Sequence, residues 1–267
     1  MIAVELRKLL GRPRTWVMVA LLCLLPTIVA VFLKTSGVAP RPGTGPAFLS
    51  AVLQNGALFP AAALAIVLPL FLPVAVSLIA GDAIAGEAAA GTLRYLLVRP
   101  VGRTRLLAAK LVSVVAFCVL AVAAVSGSAY VVGTQLFGAT AVASVSGPDL
   151  STSQATLRTV LAVLYVGWCM FGVAAVALFL STCTDSPLAA SLGAIALLVT
   201  SGVLVGLDSA GVVQPYLPTR YWLAFIDLFR EPVAYRDLVR GTALQAVYLA
   251  VFLGGAWANF ATKDVTS

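Results

Sequence analysis

Histidine is absent from this chain of 267 residues. That removes the commonest general base and the commonest metal ligand. Charge is scarce as well. Asp, Glu, Lys and Arg make up 10% of the residues against 61% hydrophobic ones, and the mean hydropathy is +1.05. A soluble chain of this length needs far more charge to stay dispersed, so the class is integral membrane protein. The four cysteines, Cys23, Cys118, Cys169 and Cys183, form no C-x-x-C pair. They read as small buried hydrophobes, and neither a disulfide nor a metal site is expected. No G-x-x-x-x-G-K-[ST], G-x-S-x-G or H-E-x-x-H occurs, so the chain brings no phosphate-cradling loop and no recognisable catalytic centre. No uncompensated acid stands in the middle of an apolar run, where an ion-coupled carrier normally needs one.

What is present is apolar sequence in six charge-free intervals, 15–33, 42–81, 111–148, 159–184, 186–207 and 241–262. A helical span needs about 20 residues, so each interval holds one. The two longest could hold two by length alone. However, "RPGTGP" opens the first of them and "GATAVASVSGPD" interrupts the other, so each reads as one helix plus an external loop. The expected fold is all-α with six membrane helices in a single domain. The first run exceeds the apolar core of about 7–15 residues in a signal peptide and is expected to be retained.

Basic residues orient the chain. Arg7, Lys8, Arg12 and Arg14 precede the first span, and Arg94, Arg99, Arg103, Arg105 and Lys110 lie between the second and third. Short loops of this kind stay in the cytoplasm, which puts residues 1–14, 81–110 and both termini inside and the 207–240 loop outside. The excess of arginine over lysine, 13 to 4, is consistent with a high-GC bacterial gene, and the expected location is the bacterial cytoplasmic membrane.

Local patterns refine this reading. "MIAVELRKLLG" is an amphipathic helix with Ile2, Leu6, Leu9 and Leu10 on one face. It either rests on the inner leaflet with its cations at the headgroups or acts as a plain basic anchor. Pro69 and Pro73 bend the second span, as a hinge or as a static kink. Asp185 or Ser186 caps the fifth span, with Pro187 in its first turn. Gly202 and Gly206 form a G-x-x-x-G, which lets another helix approach closely. In the last loop Tyr221, Trp222, Phe225, Ile226 and Phe229 recur at helical spacing. A short interfacial or re-entrant helix fits, as an aromatic belt in preference to an exit lid. Glu87 to Val98 reads as a cytoplasmic helix with Glu87, Gly91, Arg94 and Val98 on one face. Pro100 ends it, and Thr104 caps the helix feeding the third span.

"GEAAAGTLRYLLVRPVGRTRLLAAK", residues 86–110, resembles the segment between the second and third helices of ABC transporter permeases of the ABC-2 type. Glu87, Gly91, Thr92, Leu93, Arg99, Pro100, Arg103 and Lys110 carry the likeness. "ELRKLLGRPRTW" resembles that family's opening surface helix, and "NFATKDVTS" its closing Phe-x-x-Lys-Asp. The resemblance implies a permease subunit of an ATP-driven exporter. It implies a separate cytoplasmic nucleotide-binding ATPase that holds the ATP and Mg, and a second permease chain, identical or related. It also implies that the 81–110 elbow, with Glu87, Gly91, Thr92, Leu93, Arg94, Arg99 and Pro100, is the coupling helix that the ATPase receives. The second and fifth helices would line the path, so Pro69, Pro73, Gly202 and Gly206 fall on it. Membrane lipid and no nucleic acid are the remaining partner expectations. The other classes are an ion-driven carrier or channel, a membrane enzyme working from the outer loop, and a non-transporting anchor of an ATPase complex.

Overall fold

The structure, a computed structural model, describes residues 1–36, 56–91, 102–138, 142–143, 149–150, 152–207 and 211–262. The helices are α1 (Ile2–Gly11), α2 (Pro13–Ser36), α3 (Phe59–Val67), α4 (Phe71–Ala89), α5 (Arg103–Phe137), α6 (Thr152–Cys183), α7 (Pro187–Val205) and α8 (Tyr235–Thr262). Short 3-10 helices occupy Gly56–Leu58, Gln214–Tyr216 and Trp222–Phe229. A two-residue pair, β1 (Val142–Ala143) and β2 (Asp149–Leu150), is antiparallel with Val142 opposite Leu150.

Among the described residues six helices are long and apolar enough to cross a membrane: α2, α4, α5, α6, α7 and α8. The shortest, α4 and α7, have 19 residues each. At 1.5 Å per residue that is about 28 Å, close to the ~30 Å hydrocarbon core. Large apolar side chains such as Leu21, Phe32, Leu188, Val251 and Trp257 remain exposed on these helices, as lipid contact requires and water would penalise. The chain is a multi-pass membrane protein.

The bundle is layered from inside out. Its centre is α3, where eight of nine residues are buried, and it packs chiefly against α5. Around it α4, α5 and α6 bury more than half of their apolar windows, whereas α2, α7 and α8 keep most of theirs outside. Small residues set the spacing. A Cβ on Gly133 would run into Gly56 and Phe59, and one on Gly81 into Ser191, so α5 meets the start of α3, and α4 meets α7, at backbone distance. The tight connection from α6 to α7 is closed as its sequence indicates. Ser186 Oγ accepts from the Ala189 N–H at 3.3 Å, with Pro187 opening the helix.

Three expectations need correction. Pro69 and Pro73 do not bend one helix. The chain breaks at 68–70 into α3 and α4, with Pro69 in the break and Pro73 in the first turn of α4. There its missing N–H has no intrahelical partner to lose. The second span does not stop at Gly81 but runs through Asp82 and Glu87 to Ala89, because both acids are ion-paired. The third span begins at Arg103 without a side-chain cap, and Thr104 Oγ1 instead accepts from Trp257 Nε1 at 3.1 Å.

Candidate functional site

The end of the bundle that carries the amino terminus is built from charge. Here α1, the start of α2, the end of α4 and the start of α5 meet around a cavity of about 270 Å³ lined by Glu5, Lys8, Arg12, Arg14, Asp82, Glu87 and Lys110 among others. Lys110 Nζ donates to Glu5 Oε2 and to Glu87 Oε1, both at 2.9 Å. Its side chain is only 5% exposed. Lys8 also donates to Glu87. Beside this group, Arg12 Nη1 donates to Asp82 Oδ2 at 3.0 Å, and Arg14 donates to the same oxygen. A lysine this deep is tolerated because two carboxylates face it, and removing either side would strand a buried charge.

This geometry pairs charged residues of α1 with the bundle, where headgroup contact was one expectation for its cations. Glu5, Lys8 and Arg12 point into the bundle, whereas Ile2, Val4 and Leu10 are exposed. Of the expected apolar face, only Leu9 is buried.

Glu87 is likewise not the start of a separate surface helix. It lies in the last two turns of α4 and is 8% exposed, with partners inside the chain. The helix then stops. Gly91 takes φ +67°, and its N–H reaches Ala88 O at 3.0 Å. An added Cβ there would meet no atom within 4 Å, so the backbone, and not a close neighbour, calls for glycine. The expected continuous helix from Glu87 to Val98 is therefore interrupted after its third residue, Ala89. Thr92, Leu93, Arg94, Arg99 and Pro100 lie outside the described residues.

The elbow's two ends are fastened to the rest of the bundle by more than charge. Ser181 of α6 is fully buried and enters the hydrogen-bond ladder of α4. Its Oγ accepts from the N–H groups of Ile84 and Ala85 at 3.1 and 2.9 Å and donates to Gly81 O at 2.7 Å. One turn further on is Glu87. At the start of α5, Arg103 Nη1 donates to Ala261 O at 2.9 Å at the end of α8, the position where a cation suits the helix dipole. Ile84, Leu106, Leu107, Leu178 and Phe260 form a small apolar cluster beneath these contacts. Ser181→Ala removes three buried hydrogen bonds between α6 and the α4 backbone and should cost about 1–3 kcal/mol, read as an earlier thermal transition in detergent.

At the far end, Pro69 and Gly202 come together. They line a cavity of about 150 Å³ with Leu68, Val205, Thr219, Trp222 and Leu223. Pro73 and Gly206 are not among its walls. A Cβ on Gly202 would meet nothing within 4 Å, and Gly206 stands just past the end of α7. Among the described residues the G-x-x-x-G therefore brings no other helix close. Thr219 in the cavity wall is tied to α7 by the hydrogen bond between Ser201 Oγ and Thr219 Oγ1 at 2.7 Å, and the preceding Pro218 accepts at its carbonyl from Gln245 Nε2 at 2.8 Å.

The aromatic helix Trp222–Phe229 turns its rings into the bundle, where a belt would leave them exposed. Phe225 and Phe229 are 0% exposed, and the helix packs against α6 and α8. Tyr165 Oη donates to Tyr221 O at 2.7 Å, and Arg158 reaches Glu231 at 2.7 Å.

Sequence reasoning missed Glu5, Lys8 and Asp82 as members of one cluster. The readable signal was an acid at the edge of an apolar run, which needs a cation near it. Among the described residues no group of His, Cys, Asp and Glu could hold a metal ion. Residues 17–266 match the family described as "Protein of unknown function (DUF2705)", and the chain belongs to that family. No curated protein matches it.

Proposed function

We propose that this member of the DUF2705 family is the membrane-spanning permease subunit of an ATP-driven exporter of the ABC-2 type. In this reading it lies in the bacterial cytoplasmic membrane with both termini inside, beside a second permease chain. ATP and Mg belong to a separate cytoplasmic ATPase that docks on the 81–110 elbow. The observation that carries the reading is the way the elbow is rooted. Glu87 and Lys110, two residues of the ABC-2-like segment, stand at its two ends and are bonded to each other and to α1. A push on the elbow is therefore delivered to α1, α4 and α5 together, and through Ser181 to α6. The cavity at Pro69 and Gly202 is the candidate stretch of path at the far end.

The test is to purify the tagged chain from its own membranes and identify what it carries. A stoichiometric P-loop ATPase, whose hydrolysis drives transport in proteoliposomes, is the expected result. Transport without any ATPase would favour an ion-driven carrier, and a bound ATPase with no transport under any condition would favour an anchor. Gly91→Leu forces a side chain into a backbone conformation with φ above zero and should cost about 1–2 kcal/mol locally. It is expected to lower coupled transport several-fold with ATPase binding measured alongside. Gly202→Leu should leave the melting temperature within about 2 °C, since an added Cβ meets nothing within 4 Å and the rest of the side chain has the cavity to enter, while altering transport.

A further inference from the structure

We propose that the cleft between α2 and α4 is a binding site for a net-anionic phospholipid of the surrounding bilayer. The observation is a charged mouth set at the end of an apolar groove. The two helices touch little, because α2 packs mainly on α5. Between them runs a groove of about 550 Å³ whose walls are apolar side chains of both helices.

The stripes that line it end in charge. On α2, Arg14, Met18, Leu21, Leu25 and Ile28 follow one another at spacings of four and three, one face of a helix. On α4, Phe71, Ala75, Leu78 and Asp82 do the same. Arg14 and Asp82, the charged ends of the two stripes, are bonded to each other. From Met18 to Ile28 the helix rises about 15 Å, one leaflet of a ~30 Å hydrocarbon core. The groove therefore has the length of one acyl chain, with its ionic end at headgroup depth.

Charge selects the lipid. Among the described residues two cations around Lys110, Lys8 and Lys110 itself, face two acids, Glu5 and Glu87, and their sum is zero. At the mouth of the groove two cations, Arg12 and Arg14, share the single carboxylate of Asp82. The surplus of one positive charge lies where a phosphate would sit. Both guanidinium side chains remain open to a ligand, at 38% and 43% exposed. Each has five N–H donors and suits a phosphodiester.

The experiment titrates the purified full-length chain with phosphatidylglycerol and with phosphatidylcholine of the same acyl chains, read by native mass spectrometry and by melting temperature. Phosphatidylglycerol is expected to bind roughly fivefold tighter, the value of one basic residue toward an anionic membrane lipid. Arg14→Gln removes the surplus but leaves Arg12 to pair with Asp82, and it should abolish the preference. Arg14→Lys should keep it. Leu25→Trp, which touches no ion pair, should fill the groove and weaken both lipids. Equal affinity for the two lipids, or a preference unchanged in Arg14→Gln, overturns the proposal. So does glycerol 3-phosphate binding as tightly as the lipid, which would make this a free-anion site. Efficient Leu21→Cys crosslinking between two chains in a background without native cysteines would assign the groove to a second copy and overturn it as well.

Discussion

Lys110→Ala is expected to cost the folded protein about 3–5 kcal/mol, the range for stranding one side of a buried ion pair. Glu87 would keep Lys8, but Glu5, whose side chain is 13% exposed, would lose the cation that the structure shows for it. The decisive comparison is Lys110→Ala with Glu5→Gln. That double variant removes the orphaned charge and should regain more than half of the loss, since a buried pair exchanged for neutral groups is often close to neutral in stability. Thermal unfolding in one detergent, with helix content checked in the unheated proteins, measures both. Additive losses in the double variant would mean that the network is solvated and carries little. Glu87→Ala, by the same argument, destabilises the protein itself. The sequence alone had implied a surface residue whose loss would be felt only in coupling.

The six spans were legible because charge is so costly in lipid that its absence marks a helix, and the tight turn before α7 was legible from Ser186 and Pro187. Seating was not. In water, the apolar face of a helix such as α1 must turn toward protein. At a membrane the lipid accepts that face, and the charged face can turn to the protein instead, as Glu5, Lys8 and Arg12 do. The pattern Ile2, Leu6, Leu9, Leu10 is the same in both cases. The stop at Gly91 was hidden for a similar reason. A glycine spaced one turn from Glu87 suits a close helical contact as well as it suits the left-handed end of a helix. α3 was missed because nine apolar residues are too few to span and so merged with the longer run that follows.

The charged cluster and the lipid groove meet on the same helices, which constrains how the elbow can work. Asp82 and Glu87 both stand in the last two turns of α4, one holding Arg12 and Arg14 of the α2 entry, the other holding Lys8 and Lys110. Any tilt of α4 that separates Glu87 from Lys110 also moves Asp82 against α2. An anionic headgroup at Arg12 and Arg14 would therefore resist or follow the motion that the proposed coupling requires. The Arg14→Gln variant can report this as a change in ATP-driven transport separate from its change in lipid preference.

The aromatic helix supplies the other large effect. Phe225→Ala should cost about 3–5 kcal/mol, the range for emptying a fully buried phenylalanine site, because its ring is 0% exposed and the helix is wedged against α6 and α8. Trp222→Phe is the internal control. Trp222 is 3% exposed, and its Nε1 has no hydrogen-bond partner among the described residues. The substitution removes an unpaired buried donor, a gain of about 1–3 kcal/mol, together with part of a large ring's packing. The two effects oppose each other, and the net change should stay within about 1 kcal/mol. A belt at the membrane surface predicts the reverse order, because there the indole N–H is the group that holds the headgroup region and a phenylalanine is readily spared. Heat unfolding of both variants in one detergent separates the alternatives. A Phe225→Ala variant as stable as the wild type, beside a destabilised Trp222→Phe, would return the helix to the interface.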